Sequence, residues 1–188
     1  MIVDMKNILI ICGAEKTGNA EGRFNRSLVD SAQQLLSETF QVEMTFVENG
    51  YDILAEQEKF KRADVVIYQF PVFWFSCPSS LKKYIDEVFE RGVFFERKVP
   101  YGTGGLLSGK QYLLSTTWNA PESAFNDMTT FYQGRSLDEA LVAMHQTNRY
   151  VGMAPLPGYG VYNVVVAPDY AKAEAGWIEH LRRVLIDQ

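Results

Sequence analysis

Short apolar runs alternate with amphipathic helical patterns along the chain, and this alternation narrows the possible folds more than any other feature. The runs cover residues 8–12, 42–47, 65–70, 112–115 and, more weakly, 158–166. Between them apolar residues recur at helical spacing, as at Leu81, Ile85 and Val88. Parallel strands need helical crossovers and are buried on both faces. The pattern therefore predicts a doubly wound α/β domain.

Length and charge set the broad class. The 188 residues fit one domain, residues 1–188, that can bury a core without disulfides or metals. A net charge of -5 argues against nucleic acid, which needs clustered basic residues. No apolar stretch approaches the roughly 20 residues of a membrane helix, and Cys12 and Cys77 stand in no zinc or disulfide motif. We predict a soluble, cytoplasmic protein with no metal, nucleic-acid partner or membrane span.

In doubly wound sheets ligands bind beyond the carboxyl ends of the strands, so the loops after the first, third and fourth runs are the candidate site. The first loop, residues 13–22, precedes a helix that begins near Arg23 and matches neither common phosphate-binding glycine motif. A helix N-terminus still offers free N–H groups to an anion, and Lys16 and Thr17 lie nearby. Phosphate binding and a plain strand-to-helix turn both stay open here.

The second loop carries three consecutive aromatic residues, Phe73, Trp74 and Phe75, bracketed by Pro71 and Pro78. Successive side chains on a strand or a helix point in different directions, so the three rings cannot all enter one core. An aromatic loop with a restrained backbone can hold a flat ring by its edge and face. Packing against a neighbouring helix or subunit is the alternative.

The third loop, residues 115–121, combines hydroxyl groups, the Asn119 amide and a turning backbone that can supply hydrogen-bond donors. Trp118 adds a second stacking surface. A simple capped turn is the alternative for either threonine. Before this loop, the glycine-rich segment that begins at Tyr101 is able to close over a ligand or merely to connect two elements.

Six blocks of sequence resemble the flavodoxin-like NAD(P)H:quinone oxidoreductases. In chain order they are NILIICGA (7–14), ADVVIYQFP (63–71), KKYIDEVF (82–89), YGTGGL (101–106), TWNAP (117–121) and GMAPLP (152–157). The resemblance extends nearly end to end. It implies a flavodoxin-like α/β fold with a five-stranded parallel sheet in the order 2-1-3-4-5, helices on both faces, and a homodimer with FAD at the subunit interface.

The resemblance also implies roles for individual residues. The diphosphate of FAD and its surroundings would be contacted by Lys16, Gly22, Arg23, Phe24 and Asn25. The isoalloxazine would be held by Pro71, Val72, Phe73, Trp74, Phe75, Thr117, Trp118, Asn119 and Ala120, with Tyr101 reaching the cofactor from the glycine loop. The wider group has a tyrosine and a histidine beside the flavin. Tyr132 is the candidate for the tyrosine, whereas Ser136 stands where a histidine is expected.

The activity implied is two-electron, ping-pong hydride transfer from NADPH through FAD to a quinone. Backbone N–H groups near residues 117–119 would stabilise the negative charge of the reduced ring. Three alternatives stay open: an azo or nitroaromatic reductase of the same fold, a flavodoxin-type electron carrier that uses FMN, and a flavin-free interaction domain. No arginine identifies a 2'-phosphate site, so the sequence does not separate NADPH from NADH.

Overall fold

A parallel sheet forms the centre of the protein in a computed structural model that describes residues 6–16 and 21–187. Its strands are β1 (Asn7–Cys12), β2 (Gln41–Phe46), β3 (Val65–Pro71), β4 (Gln111–Thr117), β5 (Ala154–Pro155) and β6 (Tyr159–Val161). They lie in the order β2-β1-β3-β4-β5, with β6 also paired to β4. The predicted order 2-1-3-4-5 is confirmed. Thr17, named above, lies outside the described residues.

The predicted fifth strand, residues 158–166, is wrong in extent. Two short strands replace it, β5 beside Gln111 and Tyr112 and β6 beside the last three residues of β4. Pro155 and Pro157 lack the N–H groups that a continuous ladder requires, so pairing is interrupted between the two pieces. Beyond β6 the chain leaves the sheet in a turn, where the side chains of Val165 and Val166 are exposed.

Helices cover both faces of the sheet, as predicted. They are α1 (Arg23–Leu36), α2 (Ile53–Arg62), α3 (Ser79–Val88), α4 (Leu137–Ala140), α5 (Val142–Tyr150) and α6 (Tyr170–Leu181), and α6 continues as a π-helical turn to Ile186. Along β1, Ile8 and Ile10 face the α1 and α6 side, whereas Leu9 and Ile11 face the side covered by α2, α3 and α5. No helix in the described part of the chain is long and apolar enough to cross a membrane.

His180 on α6 is buried against the rings of Tyr159 and Trp177. Its Nε2–H donates to the Pro157 carbonyl at 2.9 Å, and its Nδ1 accepts from the Arg183 guanidinium at 3.0 Å. Burial is the main reason that the pKa of His180 lies below its ordinary value, and the charge of Arg183 adds to this effect. The imidazole of His180 is therefore neutral in the folded protein at neutral pH.

This depressed pKa makes folding stability depend on pH. The unfolded chain takes up the His180 proton near the ordinary pKa of about 6.5, and the folded chain does so only at lower pH. We expect the free energy of unfolding to fall as the pH drops from about 7 to about 5. Urea unfolding across this range measures it. In His180→Gln the dependence should be shallower; an unchanged slope would contradict the assignment.

Candidate functional site

The N-terminus of α1 carries no side-chain cap. Gly22 occupies the N-cap position with a left-handed φ of 68°, which glycine adopts without strain. The N–H groups of Arg23, Phe24 and Asn25 have no acceptor among the described residues. Three other helices have side-chain caps, supplied by Asp52, Ser136 and Asp169. The start of α1 therefore presents free donors and the positive end of its dipole to an anion.

The side chains around this helix start point elsewhere. Lys16 is exposed, and the Arg23 guanidinium forms an exposed ion pair with Glu21. The Phe24 ring packs edge-on against Tyr170 of α6, with centroids 5.4 Å apart. Arg23 and Phe24 therefore offer a ligand their backbone, while their side chains have partners within the chain.

A tight two-residue turn follows β3. Phe73 and Ser76 exchange two backbone hydrogen bonds of 2.9 and 3.0 Å, and Trp74 and Phe75 lie between them with φ angles of 47° and 66°. Such turns normally use glycine or asparagine, and each bulky residue in a left-handed conformation costs about 1–3 kcal/mol. The N–H groups of Trp74 and Phe75 have no acceptor in the described part of the chain. Strain of this kind clusters at ligand sites.

The aromatic rings of this turn are only partly covered by the rest of the described chain. The side chain of Trp74 is 93% exposed, so it does not pack on a neighbouring helix of the same chain. The Phe75 ring is about half exposed and stacks on Phe131, with centroids 5.4 Å apart and planes 20° from parallel. Phe131 was not recognised from the sequence, where it follows the candidate loops by ten residues. The rings of Trp74, Phe75 and Phe131 together form an open aromatic ledge.

The Trp118 ring does not offer a stacking surface, and this prediction is wrong. Trp118 is only 2% exposed, and its ring packs edge-on against Phe125. Its indole N–H donates to the Thr116 hydroxyl at 2.8 Å, and its backbone N–H donates to the Val161 carbonyl at 2.7 Å. The pairing of β4 with β6 turns this residue inward, so Trp118 packs the core beneath the site.

The next two residues of the same loop do face outward. Asn119 is exposed and Ala120 is half-buried, and neither backbone N–H has an acceptor among the described residues. The Val72 N–H donates to the Thr117 carbonyl at 2.9 Å, which places this loop directly beside the β3 turn. Free N–H donors from two adjacent loops thus border the aromatic ledge.

Two predicted contact residues turn their side chains into the protein. The Asn25 amide donates to the Thr117 hydroxyl at 3.0 Å and accepts from the Gln69 amide at 2.8 Å, and all three residues are buried. Asn25 and Thr117 therefore cannot use these groups to contact a ligand at the surface. Gln69 was missed, although a glutamine inside an otherwise apolar strand is a signal that the sequence contains.

Tyr132 lies under the aromatic ledge. Its ring stacks on Phe125 with centroids 4.2 Å apart and is 7% exposed. Burial raises the pKa of Tyr132, so its hydroxyl stays protonated at neutral pH. Ser136, at the position expected for a histidine, forms a capping box with Glu139 at the start of α4. Tyr132 stays the predicted candidate for the tyrosine beside the flavin, and residue 136 supplies no histidine to accompany it.

Tyr101 occupies a different part of the surface. It is 89% exposed, and its ring lies 5.4 Å from Tyr150, beside a cavity of about 710 Å³ that Phe95 also lines. The cavity abuts the second half of α3, at Ile85 and Asp86, and Phe89 just after the helix. The ledge residues Trp74 and Phe75 come shortly before the start of α3 in the chain, and α3 is a helix of ten residues that is about 15 Å long. Tyr101 is therefore separated from the ledge of its own chain.

The arrangement suits a flat ring with a polar edge and an anionic tail. Aromatic faces and free N–H groups border one part, and the uncapped start of α1 forms the other. Among the described residues no cluster of His, Cys, Asp or Glu is arranged to hold a metal ion. The donor set is that of a site for an aromatic ligand bearing phosphate.

The sequence and the fold are similar to those of known proteins. The flavodoxin-like fold family matches residues 6–184. The chain is 36% identical to the NADPH:quinone oxidoreductase MdaB of Haemophilus influenzae, over 95% of this chain and 98% of that protein. It is 38% identical to an uncharacterised protein of Schizosaccharomyces pombe, over 94% and 96% of the two chains. The general stress protein 14 of Treponema denticola, solved in complex with FMN, superimposes with a TM-score of 0.72 at 23% identity, over 95% and 97% of the two chains.

Proposed function

Since the chain belongs to the flavodoxin-like family of NAD(P)H:quinone oxidoreductases, we propose that it reduces quinones with NADPH and uses FAD as its cofactor. The carrying observation is the exposed, strained turn at Trp74 and Phe75, whose N–H groups lie free beside those of the β4 loop. A flavin held there would supply the two-electron hydride chemistry that joins NADPH oxidation to quinone reduction.

The chain's own contribution is to bind, orient and stabilise charge. We assign the ring to the ledge formed by Trp74 and Phe75, and its polar edge to the N–H groups of these residues, Asn119 and Ala120. Fixed N–H donors stabilise negative charge on a reduced ring without a side chain acting as acid or base. If both substrates use one face of the ring, each must leave before the other stacks, and this supports the proposed ping-pong sequence.

The uncapped start of α1 is assigned to the phosphate groups of the cofactor. Both FMN and FAD carry a phosphate on the ribityl chain of the ring, and the Treponema protein was solved in complex with FMN. Our choice of FAD follows the family resemblance of the six sequence blocks. Cytoplasmic location likewise stays a prediction.

We propose a homodimer in which each flavin lies between subunits. Tyr101, Phe95 and Tyr150 form a second aromatic wall around the cavity at the far end of α3. The length of α3 separates this wall from the ledge of its own chain. A two-fold axis is able to bring the wall of one protomer to the ledge of its partner. Tyr101 then contacts the cofactor of the partner.

One experiment tests this function. The purified protein is denatured, its chromophore is identified as FAD or FMN, and oxidation of NADPH and NADH is followed with and without menadione. We expect bound FAD and menadione-dependent oxidation that is faster with NADPH. A protein that carries no flavin and binds neither FAD nor FMN would contradict the proposal. Faster turnover of an azo dye or a nitroaromatic compound than of menadione would reassign the oxidant.

A further inference from the structure

Three buried polar side chains connect the elements that build the site. Asn25 lies in the first turn of α1, Gln69 near the end of β3, and Thr117 at the end of β4. Asn25 Oδ1 accepts from Gln69 Nε2 at 2.8 Å, and Asn25 Nδ2 donates to Thr117 Oγ1 at 3.0 Å. All three are at most 5% exposed. The amide of Asn25 is the central group, because it bonds to both of the other side chains.

Each of these elements carries a different part of the proposed site. The start of α1 offers N–H groups to phosphate, β3 leads into the turn at Trp74 and Phe75, and β4 leads into the loop at Asn119. The ring and the phosphate of a flavin nucleotide are joined by one ribityl chain of limited length. Both ends can bind at full strength only if the protein holds the phosphate donors and the ring donors at a matching separation.

We propose that Asn25 is a positioning residue that sets this separation through Gln69 and Thr117. The inference rests on the proposed flavin-dependent function. An amide suits the role because it donates to Thr117 on one strand and accepts from Gln69 on the other, and the Thr117 hydroxyl also lies 3.3 Å from Asn25 Oδ1. Gln69 Oε1 has no hydrogen-bond partner among the described residues, so the Gln69 side chain is held by its bond to Asn25.

Binding of two probes distinguishes positioning from simple support of the fold. FMN contains the ring, the ribityl chain and the phosphate, while lumiflavin contains the ring alone. In Thr117→Val, which keeps the side-chain shape and removes the hydroxyl, we expect the dissociation constant for FMN to rise about tenfold. The constant for lumiflavin should change less than about twofold. Thr117→Ser restores the hydroxyl and should recover FMN binding. Asn25→Leu should behave like Thr117→Val.

Ser31→Ala is the matched control. Ser31 also lies on α1, but it bonds to Tyr170 and Glu174 of α6 and makes no hydrogen bond to the described residues of the site loops. This variant should lower the melting temperature without changing the ratio of FMN to lumiflavin affinity. Equal weakening of both probes in Thr117→Val, or unchanged FMN binding, would overturn the inference while the proposed function stands. A wild-type protein that binds neither FMN nor FAD would overturn both.

Discussion

Alanine in place of Trp74 should lower kcat/KM for menadione at least about tenfold and leave folding almost unchanged. Stacking of a flat heterocycle on an aromatic side chain contributes about 1–3 kcal/mol, and the 93% exposure of Trp74 leaves its ring free for that contact. Because the ring is almost fully exposed in the described part of the chain, its removal should alter the free energy of unfolding by less than about 0.5 kcal/mol. Steady-state kinetics, flavin titration and urea unfolding measure these quantities.

Two further variants separate the ring from its backbone. Trp74→Gly also loses the ring, but glycine adopts a φ of 47° freely, so it should be about 1 kcal/mol more stable than Trp74→Ala. Both should lose the same activity. Leu54→Ala removes another exposed apolar side chain, on α2, and should retain wild-type kinetics. Normal flavin content and turnover in Trp74→Ala would rule out the assignment of this ring to the site.

Two inactive variants should restore activity to each other if the site is shared between subunits. One variant carries Trp74→Gly and Phe75→Gly, which remove the ledge, and the other carries Tyr101→Ala and Tyr150→Ala, which remove the opposite wall. In either homodimer both sites are damaged. In a mixed dimer one site is intact and the other lacks both parts, so random subunit exchange should recover about a quarter of wild-type turnover.

Differently tagged chains allow the mixed dimer to be purified and its activity per flavin to be compared with that of each parent. Sedimentation of the wild-type protein gives the oligomeric state independently. As a control, the first variant is mixed with Val142→Ala, which alters an exposed residue outside both walls. The mixed dimer of this pair should be as active per flavin as a mixed dimer of the first variant with the wild-type chain. A mixed dimer no more active than its parents would place the whole site within one subunit.

The loops of the site could be located from the sequence, but the orientation of their side chains could not. The three loops follow β1, β3 and β4, and the carboxyl ends of adjacent parallel strands meet at one edge. Which way Trp118 points is decided by a bond to Val161, 43 residues later along the chain. Asn119, its immediate neighbour, is exposed. No local pattern distinguishes these two residues.

The same limit applies to Phe131 and Tyr101. Phe131 joins the ledge because the loop that carries it folds back onto Phe75. Tyr101 was predicted at the cofactor, and the structure places it at a second wall beside Tyr150. A one-dimensional motif assigns a residue to a site without stating which subunit's site it is. The position of Tyr101 beside the second half of α3 is the reason that we propose a contact with the partner's cofactor.

The sequence by itself determined the class of fold, the strand order through family resemblance, and the sheet edge at which we expect a ligand. The fold class and the edge follow from apolar periodicity and loop composition, which depend on residues close together in the chain. Only the tertiary structure decided that Trp118 is core, that Trp74 is free, and that Asn25 reaches Thr117 across 92 residues. Burial and hydrogen bonding depend on neighbours brought together by folding, which a local pattern does not contain.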